Sequence, residues 1–169
     1  MVVLRATKKV LQRLPPITAD DTSSDTALGD WYVNRIVVDS QPLLLMVSSL
    51  SLLAIITPAR DVKHLPDRLS TVVVDRLLRL GIAPNLCQAE AEAMNPVQVG
   101  PTRDRSVLGS MVDFAKTIPY HLPVDAWDEI NIRGVERRLA ETPCRLAVNF
   151  EDTIFPEDMA PRLLKAKWG

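Results

Sequence analysis

Residues 42 to 58, Pro-Leu-Leu-Leu-Met-Val-Ser-Ser-Leu-Ser-Leu-Leu-Ala-Ile-Ile-Thr-Pro, are the longest uncharged apolar stretch in the chain, and the rest of the molecule must cover them or anchor them. Two structures use such a run: a buried pair of strands or a membrane span. As an α-helix the 15 residues between the prolines reach about 22 Å, short of the roughly 30 Å hydrocarbon core. Central serines and the lack of a flanking basic cluster or aromatic belt also weigh against insertion. As a hairpin the run divides into Leu43 to Val47, a tight turn near Ser48 and Ser49, and Ser51 to Thr57. The two prolines then fall at strand ends, where a missing donor is tolerated.

A chain of 169 residues with 47% hydrophobic and 24% charged residues can bury one substantial core. Its formal charge is −1, so no global field draws it to nucleic acid or an anionic membrane. Cys87 and Cys144 match no metal spacing and are expected as reduced thiols. The N terminus shows no basic segment followed by an apolar one and no small-residue cleavage site, which makes a cytoplasmic protein the expectation.

Val2 to Ala6 is expected as a strand and Lys8 to Leu14 as a short helix capped by Thr7 and stopped by Pro15-Pro16. Ile17 to Ala27 is an acidic loop. Its Asp20, Asp21 and Asp25 lack the spacing and glycine of an EF-hand, so a solvated loop is expected. Trp31 to Thr57 reads as a three-strand antiparallel meander turned at Asp39 to Pro42. Pro66 to Gly81 has an apolar stripe of Leu69, Val72, Val73, Leu77 and Leu80, with Asp75 and Arg79 paired outside. Pro84 to Met94 reads as a surface helix, and Val97 to Val99 as a brief strand.

Asp104 to Ile118 places Val107, Leu108, Met111, Val112, Phe114, Ala115 and Ile118 on one arc and Ser106, Ser110, Asp113 and Thr117 on the opposite one. Pro119 is expected to end this helix. Gly109 lies beside the polar stripe; a glycine there costs up to about 1 kcal/mol against alanine, which suggests a close neighbour, either backbone or ligand. A last major helix begins at Asp125 or Asp128 and runs to about Ala140. Beyond it, Leu146 to Phe150 suggests a short strand, and residues 146–169 read as an arm lying over the body or over a second subunit. The expected fold is α+β: a single domain over residues 1–145, with an N-terminal strand and an antiparallel meander packed against several helices.

The segments Leu28-Gly29-Asp30-Trp31-Tyr32-Val33-Asn34 and Arg105-Ser106-Val107-Leu108-Gly109-Ser110-Met111-Val112-Asp113-Phe114 resemble the paired signatures of an uncharacterised bacterial family of small proteins. Leu4-Arg5-Ala6-Thr7-Lys8-Lys9 fits as well, so the likeness spans roughly residues 2 to 145. Asp104 stands where that family more often carries asparagine, and the tail has no counterpart. The resemblance brings no activity with it. It implies a bacterial protein, one linked to mobile elements, and a shared use for the face around Arg105, Ser106 and Asp113.

Several chemistries are open to these residues. Arg103, Arg105 and Ser106 at the start of the Asp104 helix suit an anion, a phosphate ester or a nucleic-acid backbone; equally, Asp104 caps the helix and the arginines pair with carboxylates. Hydrolysis needs His121, the neighbour of Tyr120, to fold back beside Ser106 or Ser110 together with Asp113, and an esterase or nuclease cleft would also draw in Asp30. Zinc would require Cys87, Cys144, His64 and His121 to converge. No catalytic residues, cofactor or metal are expected. The first expectation is a binding module for a protein partner or a second copy of itself, with Arg103, Arg105, Ser106, Gly109, Ser110 and Asp113 as its ligand-facing residues and Asp30, Tyr120 and His121 as accessories.

Overall fold

Strand β1 (Val2–Ala6) is buried along its whole length, as an interior strand of a sheet covered on both faces must be. The computed structural model describes residues 1–122, 128–145 and 153–169. After β1 come α1 (Lys8–Leu11), β2 (Trp31–Val38), β3 (Gln41–Ser48), β4 (Ala54–Pro58), a 3₁₀ turn at Val62–His64, α2 (Leu65–Arg79), α3 (Pro84–Ala93), β5 (Val97–Pro101), α4 (Arg105–His121), α5 (Glu129–Ala140), β6 (Cys144–Arg145), β7 (Thr153–Ile154) and α6 (Pro156–Trp168). Five strands make one sheet in the order β4-β3-β2-β1-β5, and β6 pairs with β7 separately.

The expected meander is β2-β3-β4, antiparallel throughout, so the fold is α+β as expected. A two-residue turn joins β2 to β3, with Asp39 at φ 49° and Ser40 at φ 66°, the left-handed pair that a tight hairpin of this twist requires. In the β3–β4 turn the serines are structural: the Ser48 and Ser51 hydroxyls lie 2.5 Å apart, and Ser48 Oγ accepts the Ser51 N–H at 3.1 Å. On its other side β2 meets β1 in parallel, and β1 meets β5 in parallel. The sheet is therefore mixed.

Side-chain alternation sorts the core by face. Val2, Leu4, Trp31, Val33, Leu44 and Met46 pack with Leu69, Val73 and Leu77 of α2, Leu86 of α3 and Leu164 of α6. Tyr32, Leu45, Val47 and Ile56 face Val107, Met111, Phe114 and Ile118 of α4 and Ile132, Val135 and Leu139 of α5. Each fully buried aliphatic or aromatic side chain contributes about 1.5–3 kcal/mol relative to exposure. Both sheet edges are occupied. Val99 O accepts the N–H groups of Thr18 and Ala19 at 2.9 and 3.0 Å. At β4, Ile56 N–H donates to Glu136 Oε2 at 3.1 Å and Ala54 O accepts from Arg76 Nε at 3.2 Å. These contacts block pairing with a foreign strand.

Several local expectations are corrected. The α3 helix is not simply a surface helix: Glu90 is fully buried and accepts Ala27 N–H, Leu28 N–H and Trp168 Nε1–H at 2.8, 3.0 and 2.7 Å. Helix α4 continues through Pro119 to His121, because a proline near a helix end forfeits a single N–H while keeping helical φ. Val112 is 51% exposed rather than inward. Thr7 holds the N-cap position of α1, which ends at Leu11 rather than Leu14, but its hydroxyl donates to Asn34 Oδ1 at 2.9 Å instead of capping the helix. The start of the acidic loop lies along the β5 edge, with Asp20, Asp21 and Asp25 exposed. The expected strand at Leu146 to Phe150 and the alternative cap Asp125 lie outside the described residues; Asp128 caps α5, its Oδ1 accepting the Asn131 N–H at 2.8 Å. The end of the chain forms α6, which buries Ala160 and Leu164 against the body.

Candidate functional site

Two clusters collect the residues singled out by sequence. The first lies at the start of α4. Asp104 caps the helix, its Oδ1 accepting the N–H groups of Ser106 at 2.8 Å and Val107 at 3.4 Å, while its own N–H donates to the Tyr32 hydroxyl at 3.1 Å. Burial pushes the Tyr32 hydroxyl's pKa up, keeping it neutral. Arg103 reaches Asp30 at 3.7 Å, above the tighter Arg5–Asp30 pair at 2.7 Å. Ser24 Oγ also donates to Asp30, and Arg5 Nη1 donates to Pro101 O at 3.3 Å. A Cβ on Gly100 would sit 3.2 Å from that Nη1, so the glycine lets the guanidinium lie over β5. Asp30 is thus committed to two arginines, and the first-turn N–H groups of α4 are answered by Asp104. Arg105 is exposed and has no carboxylate partner among the described residues.

The second cluster is a groove of about 480 Å³ between α4 and the segment Thr142–Arg145. Ser106, Gly109, Ser110, Asp113 and Thr117 form one wall, as their helical spacing predicts, and Phe114 and Cys144 add apolar surface. The side-chain oxygens of Ser106, Ser110 and Asp113 have no hydrogen-bond partner among the described residues, whereas Thr117 Oγ1 donates to Phe114 O at 2.9 Å. A Cβ on Gly109 would meet nothing within 4 Å. The close neighbour expected from that glycine is therefore not part of this chain's described residues.

Burial, then the charge of Asp113, pushes the Cys144 thiol up to about 11. At neutral pH it is a protonated apolar group and a poor nucleophile. Cys144 packs on one face of the sheet and Cys87 on the other, so the sheet itself separates the thiols and they cannot share a zinc ion. Among the described residues no three His, Cys, Asp or Glu side chains are grouped to hold a metal.

Tyr120 and His121 are not brought to either cluster. Tyr120 is 87% exposed at the far end of α4, and 15 residues of helix put His121 about 22 Å from Ser106. Asp30 lies near the start of that helix, so Asp30, Asp113 and His121 do not share a cleft. Sequence periodicity found one wall of the groove. It missed Cys144 and Arg145, which arrive from a distant segment with no periodic signal of their own.

A family model described as Domain of unknown function (DUF6933) matches residues 3–159. The match therefore continues past residue 145 into α6, further than the likeness drawn from the signatures alone. No curated protein and no solved structure matches the chain.

Proposed function

This chain belongs to the DUF6933 family, and we propose that it is a binding module whose α4–β6 groove takes a segment of a partner protein or of a second copy of itself. The observation that carries this is Gly109. In a helix interior it costs about 0.5–1 kcal/mol relative to alanine, and nothing described in the chain occupies the space it leaves. Around it stand the Ser106 and Ser110 hydroxyls and the Asp113 carboxylate, without partners among the described residues, next to apolar Phe114 and a protonated thiol. Such a mixture suits a polypeptide, which offers backbone donors and acceptors together with apolar side chains. The proposal takes the protein as bacterial and of mobile-element origin on the strength of its signature segments, as cytoplasmic from the composition of its N-terminal segment, and as able to form homo-oligomers.

Replacing Ser110, half-buried in the groove wall, by arginine fills the groove. Stability should change by less than about 0.5 kcal/mol, while a stoichiometric partner that copurifies with the wild-type protein, or a dimer seen by sedimentation, should be lost. Identical partner recovery and sedimentation for the wild type and Ser110→Arg would reject the groove as the binding surface.

A second reading rests on Arg105, which is exposed and unpaired among the described residues. With Arg103 and Ser106 it would hold a phosphate ester or a nucleic-acid backbone. It is the weaker proposal, since Asp104 competes for the helix N–H groups and Arg103 is drawn to Asp30. Salt-dependent retention on RNA or DNA that disappears in Arg105→Ala would support it.

A further inference from the structure

We propose that the cleft where α2, α5 and the first turn of α6 meet binds a compact oxyanion, the phosphate group of a small ligand. Arg76 and Arg79 of α2 and Arg133 and Arg137 of α5 line a cavity of about 310 Å³, opposed by a single lining carboxylate among the described residues, Glu157. That volume lies at the small end of ligand pockets and suits a phosphate with a short attached group.

The disposition of charge is the main argument. The other acids nearby, Asp75, Glu129 and Glu136, line the neighbouring groove along β4 rather than this cavity. Arg79 is held by Asp75 at 2.9 Å and Glu136 at 2.7 Å, and Arg133 by Glu129 at 2.5 Å. These two arginines therefore separate the acids on one side from the cavity on the other. Cations at the ends of α2 and α5 complement the helix dipoles, which is reason enough for solvated arginines. It does not account for Arg76, which is 4% exposed. Its Nε and Nη2 donate to the carbonyls of Ala54 and Glu136 at 3.2 and 3.1 Å, its nearest carboxylate oxygen is 3.9 Å away, and Nη1 has no acceptor among the described residues. Burial lowers the pKa of this guanidinium, and the charges of Arg79 and Arg137 lower it further against the opposing effect of Glu136 and Asp75. A bound oxyanion would supply the missing acceptor and relieve the crowding of like charge.

The test titrates the full-length protein with inorganic phosphate, pyrophosphate and glycerol 3-phosphate by calorimetry, at constant ionic strength in chloride. At least one should bind saturably at a single site. Arg137→Ala, which removes an exposed side chain, should weaken that binding about tenfold, and Glu157→Gln should strengthen it about threefold. Ser110→Arg should leave it unchanged, which separates this cavity from the α4 groove. Absence of saturable binding by all three anions would overturn the proposal, as would equal affinity in the wild type, Arg137→Ala and Glu157→Gln. Tighter, Arg137-dependent binding of a short single-stranded RNA without any pyrophosphate binding would overturn it in favour of a nucleic-acid surface.

Discussion

Within Leu28–Asn34 the polar groups are nearly all used inside the fold, whereas along Arg105–Asp113 the side-chain polar atoms have no partners among the described residues. In the first segment Leu28 N–H donates to Glu90, Gly29 O accepts from Thr26 Oγ1, Asp30 pairs with Arg5, Tyr32 meets Asp104 and Asn34 accepts from Thr7. Gly29 has φ +75°, and a Cβ there would collide with Ser49 Oγ, so turn geometry and packing both require glycine. Among the described residues only the buried Trp31 Nε1 stands without a partner in this segment. In the second segment Gly109 meets no neighbour among the described residues, and Ser106, Ser110 and Asp113 line a groove. Both segments stand out in the sequence, for different physical reasons. The first supports the fold, and the second lines an open groove.

The largest test of this contrast removes one carboxylate from each segment. Asp30→Ala leaves the Arg5 guanidinium, 3% exposed, without its close counter-charge. Unfolding free energy should fall by about 3–5 kcal/mol in urea titrations. Asp113→Ala, on an exposed helix face, should change it by no more than about 0.5 kcal/mol. Comparable losses at the two positions would erase the distinction.

A smaller effect sharpens it by asking what the Asp113 charge does within the fold. The Cys144 thiol is lifted from 9.0 to about 11, by burial first and by Asp113 second. Between those values the unfolded chain releases a proton that the folded chain keeps. The contribution is therefore fully present below about pH 9 and is lost as pH rises to about 11. Wild-type stability should drop across that window by on the order of 1 kcal/mol more than that of Cys144→Ala, with allowance for solvent screening. Asp113→Asn should narrow the window from its upper end. Parallel wild-type and Cys144→Ala profiles would show that the thiol is not held in its neutral form.

Much of this architecture was legible from residue pattern. The hairpin followed from an uncharged run too short for a membrane, and among the described residues no helix is long and apolar enough to cross one. The wall of the groove followed from the 100° spacing of Ser106, Ser110, Asp113 and Thr117. The buried charges were missed although their signal was present. Arg76 falls between Val72 and Leu69 on the α2 stripe of Leu69, Val72, Val73, Leu77 and Leu80, and Glu136 falls between Ile132 and Ala140 on the buried arc of α5. A charged residue within an apolar arc must find a partner on another element, and here the partners are the β4 edge and Arg79. What periodicity could not supply was which distant segment arrives opposite a given face. The parallel pairing of β1 with β2 and β5, and the approach of Cys144 to α4, depend on connections with no local signature.

A small change in stability at Gly109 is the most discriminating. If Gly109 served internal packing, alanine would clash and destabilise; with nothing among the described residues within 4 Å of the added Cβ, Gly109→Ala should instead stabilise α4 by about 0.4–1 kcal/mol through a less flexible unfolded chain. A gain in the urea midpoint together with weaker retention of a partner would mean that a stability cost is kept for close approach at this face. The same gain with undiminished binding would leave the groove intact as a surface but remove Gly109 as its signature. A loss of stability would place an unseen internal neighbour against the helix, and the second segment would then belong with the first.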